Sequence, residues 1–256
     1  MKGLNIGAGP NFNIKDWEKL DYTGNSYGDN GYIPDINFDL NKIEPIPRPD
    51  NSYNYIYCSH VFEHLLDESV NNILYESNRL LKKDGIIRIT CPDYDKLLYM
   101  YLNNIKINWD YGSKWNEQWS NFDCFLYNTF SFCHRRRENI NEDKDYINED
   151  KDYINEDKDY INEDFFNKLL KEKGKKYTYN YCYEICKKYK LKYPDKFSGS
   201  HINWWNEEKI TEYLQKNNFN DIKLYIQNES NSKDLIGNGF NNTLPHFSLY
   251  IEAKKL

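Results

Sequence analysis

The sequence predicts an α/β fold built on a doubly wound, mostly parallel sheet, with a helical insertion before the last two strands. Two observations lead to this prediction. Strand-like runs rich in β-branched and aromatic residues alternate with an amphipathic helix over residues 1–95, and the alternation resumes near the C terminus. Strands and helices that alternate in this way form parallel sheets with right-handed crossovers.

The predicted strands are short runs of apolar, β-branched or aromatic residues bounded by turn residues. The first ends at a glycine turn, and the last two lie close enough along the chain to pair as an antiparallel hairpin. The predicted strands are 2–6, 18–22, 53–58, 86–90, 220–226 and 247–253.

Two helices are predicted beside these strands, at 66–82 and at 207–216. In the first, Val70, Ile73 and Leu74 recur at helical spacing. Two lysines and a glycine at 82–85 predict its C-terminal end.

The predicted domains are a sheet domain, formed by 1–95 and 206–256, and an insertion formed by 96–205. The insertion is too long for a bare loop, so we expect helices that form a cap over the substrate. It contains an acidic heptapeptide repeat at 140–164, with INEDKDY at 140–146, 147–153 and 154–160. Each copy is acidic with little apolar surface, which favours a solvated helix or disordered arm. The alternative is a short coiled-coil contact within a homodimer.

Composition excludes several classes of partner. The 256 residues carry 34 Lys and Arg against 40 Asp and Glu, a net charge of −6 without a basic face, so we expect no nucleic-acid partner. No run of about 18 apolar residues predicts a membrane span. The six cysteines form no CxxC pair, which indicates reduced thiols and a cytoplasmic location.

A glycine turn follows the first predicted strand. Gly7, Ala8 and Gly9 allow the close backbone approach that a nucleotide-like ligand needs at the carboxyl edge of a parallel sheet. Asp21 ends the second predicted strand, where a carboxylate can accept hydrogen bonds from both ribose hydroxyls of a nucleoside. The alternative is an ordinary turn with a surface aspartate.

Four segments in this order resemble the class I S-adenosylmethionine-dependent methyltransferases, particularly those with a signature like SHVFEHL. They are LNIGAGP (4–10), KLDY (19–22), residues 36–65 with SHVFEHL at their end, and NRLLKKDGIIRITCPD (78–93). The resemblance implies a Rossmann-like sheet of about seven strands whose last strand is antiparallel, and S-adenosylmethionine as cofactor. It also implies contacts from Gly7 and Gly9 to the methionine part, Asp21 to the ribose, Asp39 and Leu40 to the adenine, and Ser59 and His60 to the cofactor's edge.

The chain departs from this family at two places. Asn5 stands where the family commonly has an acidic residue in its first strand, so a contact near the cofactor's amino group is in doubt. Only residues 11–18 connect the glycine turn to the second strand, which leaves little room for the usual first helix. A sulfonium cofactor lacks a pyrophosphate, so a missing helix N-terminus matters less than in a dinucleotide enzyme.

His60, Glu63 and His64 also match H-x-x-E-H, a pattern in which two histidines on one helix bind zinc and a glutamate activates water. This pattern keeps a zinc-dependent hydrolase as an alternative, although no third ligand is evident. The ordinary role of Glu63 and His64 would be helix capping and polar packing, with His60 nearer the ligand. We assign no metal site.

The residues expected to act on the methyl acceptor are basic or anion-binding. If the acceptor is a hydroxyl, a base should take its proton, and the candidates are His60, His134, His201 and Asp93. Arg135, Arg136 and Arg137 predict binding of an anionic substrate, since guanidinium groups suit phosphate or carboxylate. Alternatively, they neutralise the acidic repeat.

The function that these residues favour is methyl transfer to the oxygen of a small polar acceptor, with or without a phosphate. Methyltransferases resembling this group act in surface-polysaccharide pathways, so the resemblance implies a sugar or a phosphoramidate-bearing capsule precursor as acceptor. The second alternative, beside the zinc hydrolase, is a non-catalytic protein that binds the cofactor.

Overall fold

The computed structural model describes residues 2–24, 31–106, 119–131, 161–192, 199–237, 239–240 and 246–256. The chain divides into two compact units. The first unit comprises residues 1–95 and 205–256, and the second comprises residues 96–204. None of the described helices combines the length and apolar character needed to span a bilayer.

The first unit is organised around a seven-stranded sheet in the order β3-β2-β1-β4-β5-β7-β6. Strands β1 to β5 are parallel, and β7 runs antiparallel to both β5 and β6. This topology confirms the predicted Rossmann-like α/β fold and the antiparallel pair at the C terminus. The strands are β1 Gly3–Ile6, β2 Trp17–Asp21, β3 Ile36–Asn37, β4 Tyr53–Ser59, β5 Leu81–Pro92, β6 Phe219–Tyr225 and β7 Ser248–Lys255.

Strand β5 is longer than the sequence predicts. Leu81 pairs with Tyr53, but Ile86 pairs with Tyr55, so residues 82–85 bulge out of the ladder. The preceding helix ends at Leu80, two residues before its predicted end, so the lysines and glycine at 82–85 lie in the bulge of β5 and not at the end of the helix. Pairing with β4 on one side and β7 on the other extends β5 beyond its β-branched centre.

Helices cover one face of this sheet. Helix α1 (Asp67–Leu80) has Asp67 and Glu68 in its first turn and Arg79 in its last, charges that favour the helix dipole. It buries Val70, Ile73 and Leu74 in the main core. Residues 62–64 form a short 3₁₀ helix before it. Helix α2 spans Tyr94–Leu102, and the later helix Glu207–Lys216 has the bounds that the sequence predicts.

An aromatic cluster covers the other face where the first helix of the fold would lie. The described chain between β1 and β2 contains turns and no helix, as its length predicts. Instead Phe12, Trp17 and Tyr57 pack with Leu235 and Phe240 from the connection between β6 and β7. The Phe240 ring centroid lies 5.0 Å from that of Trp17 and 5.1 Å from that of Tyr57.

The described part of the second unit is helical. Helix α3 (Asn121–Thr129), α4 (Glu163–Lys173) and α5 (Lys175–Lys192) follow α2, and the helix Glu207–Lys216 of the first unit is α6. A capping box between Ser120 and Asp123 begins α3. Tyr101 packs on Phe125 with ring centroids 5.4 Å apart, and its hydroxyl donates to Glu163 at 2.8 Å.

Candidate functional site

Three parallel strands bring the predicted ligand residues to one edge of the sheet. Ile6 of β1 pairs with Leu20 of β2 and with Cys58 of β4. The residues that follow these three positions are Gly7, Asp21 and Ser59, so the register places them side by side where the strands end. In open α/β sheets this carboxyl edge is where ligands bind.

The two glycines of the turn have different structural roles. Both have left-handed backbones, with φ of +68° at Gly7 and +62° at Gly9. A Cβ atom on Gly7 would lie 2.3 Å from Cγ2 of Val61, whereas a Cβ on Gly9 would meet nothing within 4 Å. Gly7 is therefore required for packing, and Gly9 lies beside open space that a ligand can approach.

Asp21 is tied directly to this turn. Its carboxylate is buried, and its Oδ2 accepts a hydrogen bond of 2.8 Å from the Gly9 amide. Its Oδ1 accepts another of 2.8 Å from the Tyr22 amide. Each carboxylate oxygen can accept more than one hydrogen bond, so the arrangement suits recognition of a diol.

The residues implied for the adenine follow β3. Oδ1 of Asp39 accepts hydrogen bonds from the backbone amide of Asn41 at 3.0 Å and from its side-chain amide at 2.9 Å. Leu40 is partly buried and packs against the main core. Asn5 is buried within β1, between its neighbours Lys19 on β2 and Tyr57 on β4.

Tyr32 is a residue near this edge that the sequence analysis missed. Its hydroxyl is buried without a hydrogen-bond partner. Burial, together with the charges of Asp21 and Asp35, raises the pKa of Tyr32 to about 12. Nothing in the local sequence distinguishes it from the other 23 of the 24 tyrosines, and only its proximity to Asp21 draws attention to it.

His60 lies at the end of β4 between two polar partners. Its Nδ1 is 3.0 Å from Oε1 of Glu63, and its Nε2 is 3.2 Å from Oγ of Ser248, the first residue of β7. Its backbone is left-handed, with φ of +54°, and its amide donates to the Thr90 carbonyl at 2.8 Å. Glu63 is fully buried, whereas the His60 side chain keeps 17% of its surface exposed.

The charge of Glu63 also affects the pKa of the neighbouring Cys58 thiol. Burial raises the pKa of Cys58 well above its usual value, and the charge of Glu63 raises it further. Cys58 is therefore protonated at neutral pH. The five described cysteines are buried, and none of them forms a disulfide.

The H-x-x-E-H pattern does not place two histidines on one helix. The 3₁₀ helix comprises Phe62–His64 only, and His60 precedes it with a left-handed backbone. The helix has no side-chain cap, so the capping expected of Glu63 and His64 is not seen. Glu63 does make a polar contact at this corner, with His60. This geometry does not favour the zinc-hydrolase alternative.

The other predicted bases are distributed over the chain. Asp93 follows β5, is buried, and accepts a hydrogen bond from the Asp95 amide at 3.1 Å, which caps the start of α2. His201 belongs to the second unit, where its Nδ1 lies 2.8 Å from the Asn128 carbonyl. His134, Arg135, Arg136, Arg137 and repeat residues 140–160 lie outside the residues that the structure describes.

Comparison with known proteins gives a family match for part of the sheet unit. Residues 4–89 match a protein family described as "Methyltransferase domain". The match contains the glycine turn, Asp21, Asp39 and the His60 segment. No curated protein sequence matches the chain.

Several solved structures are similar to the chain at low identity. A possible histamine N-methyltransferase from Thermotoga maritima is 11% identical, with 100% of this chain and 82% of that chain covered and a TM-score of 0.42. A SAM-dependent methyltransferase from Archaeoglobus fulgidus is 12% identical, with 99% and 86% covered and a TM-score of 0.44. One from Mesorhizobium loti is 10% identical, with 99% and 90% covered and a TM-score of 0.41.

Proposed function

We propose that this chain is a methyltransferase that uses S-adenosylmethionine, an assignment supported by the family match over residues 4–89, and that it methylates an oxygen atom of a small, anionic acceptor. The observation that carries the oxygen assignment is the contact between His60 and the buried Glu63 at the carboxyl edge of the sheet. A hydroxyl must lose its proton as it is methylated, and a histidine oriented by a carboxylate suits that task.

The residues at this edge fit the cofactor. Space beside Gly9 admits a ligand against the backbone, and Asp21 is held by the Gly9 amide in a position to accept from ribose hydroxyls. When bound, S-adenosylmethionine supplies an electrophilic methyl group on a sulfonium. In this proposal the cofactor is held by Gly7, Ala8, Gly9, Asp21, Asp39, Leu40, Ser59 and His60.

His60 is the base in this proposal because of its partners. Asp93 caps a helix and His201 contacts a backbone carbonyl, whereas His60 has a carboxylate at 3.0 Å and remains partly exposed. The protein otherwise acts by positioning the acceptor, because most of the rate enhancement of such a displacement comes from near-attack geometry.

The anionic acceptor is supported by the sequence. Arg135, Arg136 and Arg137 form the only run of three arginines in the chain, in the insertion proposed to cap the substrate. Guanidinium groups bind phosphate or carboxylate in a bidentate way. A phosphorylated sugar, or a phosphoramidate-bearing precursor of a surface polysaccharide, is the acceptor class that the family resemblance favours. The proposal includes a cytoplasmic location, which agrees with the free thiols.

The first test is cofactor binding measured by calorimetry with S-adenosylhomocysteine. We expect the wild type to bind and Asp21→Asn to bind about 10- to 100-fold more weakly, because hydrogen bonds to a charged acceptor contribute about 1.5–3 kcal/mol. Asp16→Asn is the control, since Asp16 is exposed and loses the same charge away from the site. A wild-type protein without affinity for this ligand would contradict the assignment.

The second test identifies the acceptor. Release of S-adenosylhomocysteine is measured with sugars, sugar phosphates and phosphoramidates, each beside a matched compound whose hydroxyls are blocked. We expect turnover only with free hydroxyls, and the arginine variants Arg135→Ala, Arg136→Ala and Arg137→Ala should raise the acceptor KM. Turnover with amines alone would replace the oxygen assignment, and an unchanged KM in the arginine variants would remove the anionic one.

A further inference from the structure

Glu63 is a fully buried carboxylate, and its contacts restrict its chemical state. Its Oε1 lies 3.0 Å from Nδ1 of His60 and 4.0 Å from Nε2 of His64. An ionised carboxylate is costly to bury unless nearby groups donate hydrogen bonds to it or carry positive charge. The 3.0 Å contact to His60 is an ion-pair contact whose angle lies outside hydrogen-bond geometry, and a proton on Nδ1 reduces the cost of burial through its positive charge density.

This contact determines which nitrogen of His60 carries the proton. An ionised carboxylate has only lone pairs to present, and an unprotonated Nδ1 at 3.0 Å would repel it, so the proton belongs on Nδ1 and in the neutral ring Nε2 then has the lone pair. Ser248 agrees with this assignment, because its hydroxyl can donate to Nε2. The separation of 3.2 Å is long for a hydroxyl donor, so the bond is weak, but Ser248 is fully buried and its side chain must move before another hydroxyl can bond to Nε2.

The backbone also fixes the ring. The left-handed conformation of His60 costs about 1–2 kcal/mol for a residue other than glycine, and the hydrogen bond to Thr90 holds it in place. Backbone strain of this kind concentrates at functional sites. His60 therefore has its main chain, tautomer and ring orientation all constrained by named neighbours.

We propose that Glu63 is a positioning residue that holds His60 with Nδ1–H toward itself and thereby presents Nε2 to the acceptor hydroxyl, which takes the place of Ser248 Oγ. The inference rests on the proposed function and adds a residue to it. The acceptor's O–H bond breaks and its proton goes to Nε2, while the oxygen electron pair forms the bond to the methyl carbon. As the bond between the methyl carbon and sulfur breaks, its electron pair stays on sulfur. The imidazolium that results lies beside the Glu63 carboxylate, which stabilises it.

Nuclear magnetic resonance of the histidine rings tests the tautomer without any cofactor or acceptor. In uniformly ¹⁵N-labelled protein, the ring signals that disappear in His60→Gln are assigned to His60. We expect a protonated Nδ1 and an unprotonated Nε2 in the wild type at neutral pH. A His60 ring with the proton on Nε2, or with both nitrogens protonated, would overturn the proposal.

Variants then show whether Glu63 is the cause. In Glu63→Gln the amide can donate as well as accept, so the single tautomer should give way to a mixture. Ser248→Ala should keep the wild-type tautomer, and Glu44→Gln is the matched control on an exposed glutamate. A tautomer that changes in Ser248→Ala but not in Glu63→Gln would assign the role to Ser248.

Kinetics with the acceptor found in the screen test the consequence for the reaction. His60→Gln should lower kcat about 10²- to 10⁴-fold, and Glu63→Gln about tenfold or more, with little change in acceptor KM. Glu63→Asp keeps an acceptor-only side chain and should recover part of the loss. A merely structural Glu63 would instead lower thermal stability and leave kcat of the folded protein unchanged.

The two proposals fail in different ways. Absence of S-adenosylhomocysteine binding overturns the proposed function, and the tautomer of His60 in the free protein is measured regardless. If Glu63→Gln does not fold, Glu63→Asp decides, since it should retain the wild-type tautomer and a mixture in that variant would count against Glu63.

Discussion

At the scale of single residues, the two glycines of the turn have different roles: Gly7 is required for packing, and Gly9 for the proposed binding of the cofactor. Alanine at Gly7 would combine a left-handed backbone with a Cβ 2.3 Å from Val61, whereas alanine at Gly9 would suffer only the backbone strain. That strain costs about 1–2 kcal/mol. Space beside Gly9 is empty of protein, so under the proposed function a methyl group there would meet the cofactor.

We therefore predict opposite profiles for the two alanine variants. Gly9→Ala should lose about 1–2 kcal/mol of unfolding free energy and show a clear loss of S-adenosylhomocysteine affinity. Gly7→Ala should lose more stability, and the double variant with Val61→Ala should recover part of it. Urea unfolding and calorimetry measure the two quantities. Gly9→Ala that binds as tightly as the wild type would move the ligand away from this turn.

The sequence predicted the residues that lie next to each other along the chain or at strand ends. Gly7, Asp21 and His60 follow from motif and strand register. Ser248 could not be found in this way, because it is 188 residues from His60 and shares no motif with it. Tyr32 was missed for a similar reason, since its buried hydroxyl is a property of packing.

At the scale of elements, the aromatic cluster covers the part of the sheet that the first helix of the fold would otherwise cover. Phe240 is buried and contacts Phe12, Trp17 and Tyr57 through ring centroids 5.0–5.9 Å apart. The sequence predicted that the connection after the glycine turn is too short for a helix. It did not predict what covers the sheet there, because the covering residues come from the other end of the chain.

We predict that Phe240→Ala destabilises the first unit by about 3–5 kcal/mol, because it removes a buried ring and leaves a cavity. Hydrogen exchange of the amides at 12–17 and 233–237 should increase more than that of α1. Ile226→Ala is the control, since its side chain is 67% exposed, and we expect little change. A loss from Phe240→Ala no larger than the control's would contradict a covering role for the cluster.

At the scale of the whole molecule, stability depends on pH through a carboxylate at the amino edge of the sheet. Arg48 binds Glu18 in a bidentate way, at 2.9 and 3.1 Å, and the Tyr53 hydroxyl donates to the same carboxylate. Burial raises the pKa of Glu18, but the hydrogen bonds from Arg48 and Tyr53 outweigh it, so the pKa is lowered overall.

A lowered pKa in the folded state means that Glu18 adds stability above its ordinary pKa of 4.5, and that this stability is lost as the pH falls through the lowered value. We predict that Arg48→Met is less stable than the wild type by about 1–2 kcal/mol at neutral pH. The difference should shrink in acid. Urea unfolding at neutral and at acidic pH measures this difference in stability. Lys42→Met, at an exposed site, should show no such convergence, and a gap that stays constant for Arg48→Met would refute the linkage.

The aromatic cluster also constrains the order in which the chain can fold during synthesis. Phe12 and Trp17 are synthesised long before their partner Phe240, which lies more than 200 residues later in the sequence. The ion pair between Lys2 and Asp234 likewise joins two residues that are 232 positions apart in the sequence. One side of the nascent sheet therefore stays uncovered until the segment with Phe240 has been made, and a chain that stalls before that point exposes an apolar surface to chaperones and proteases.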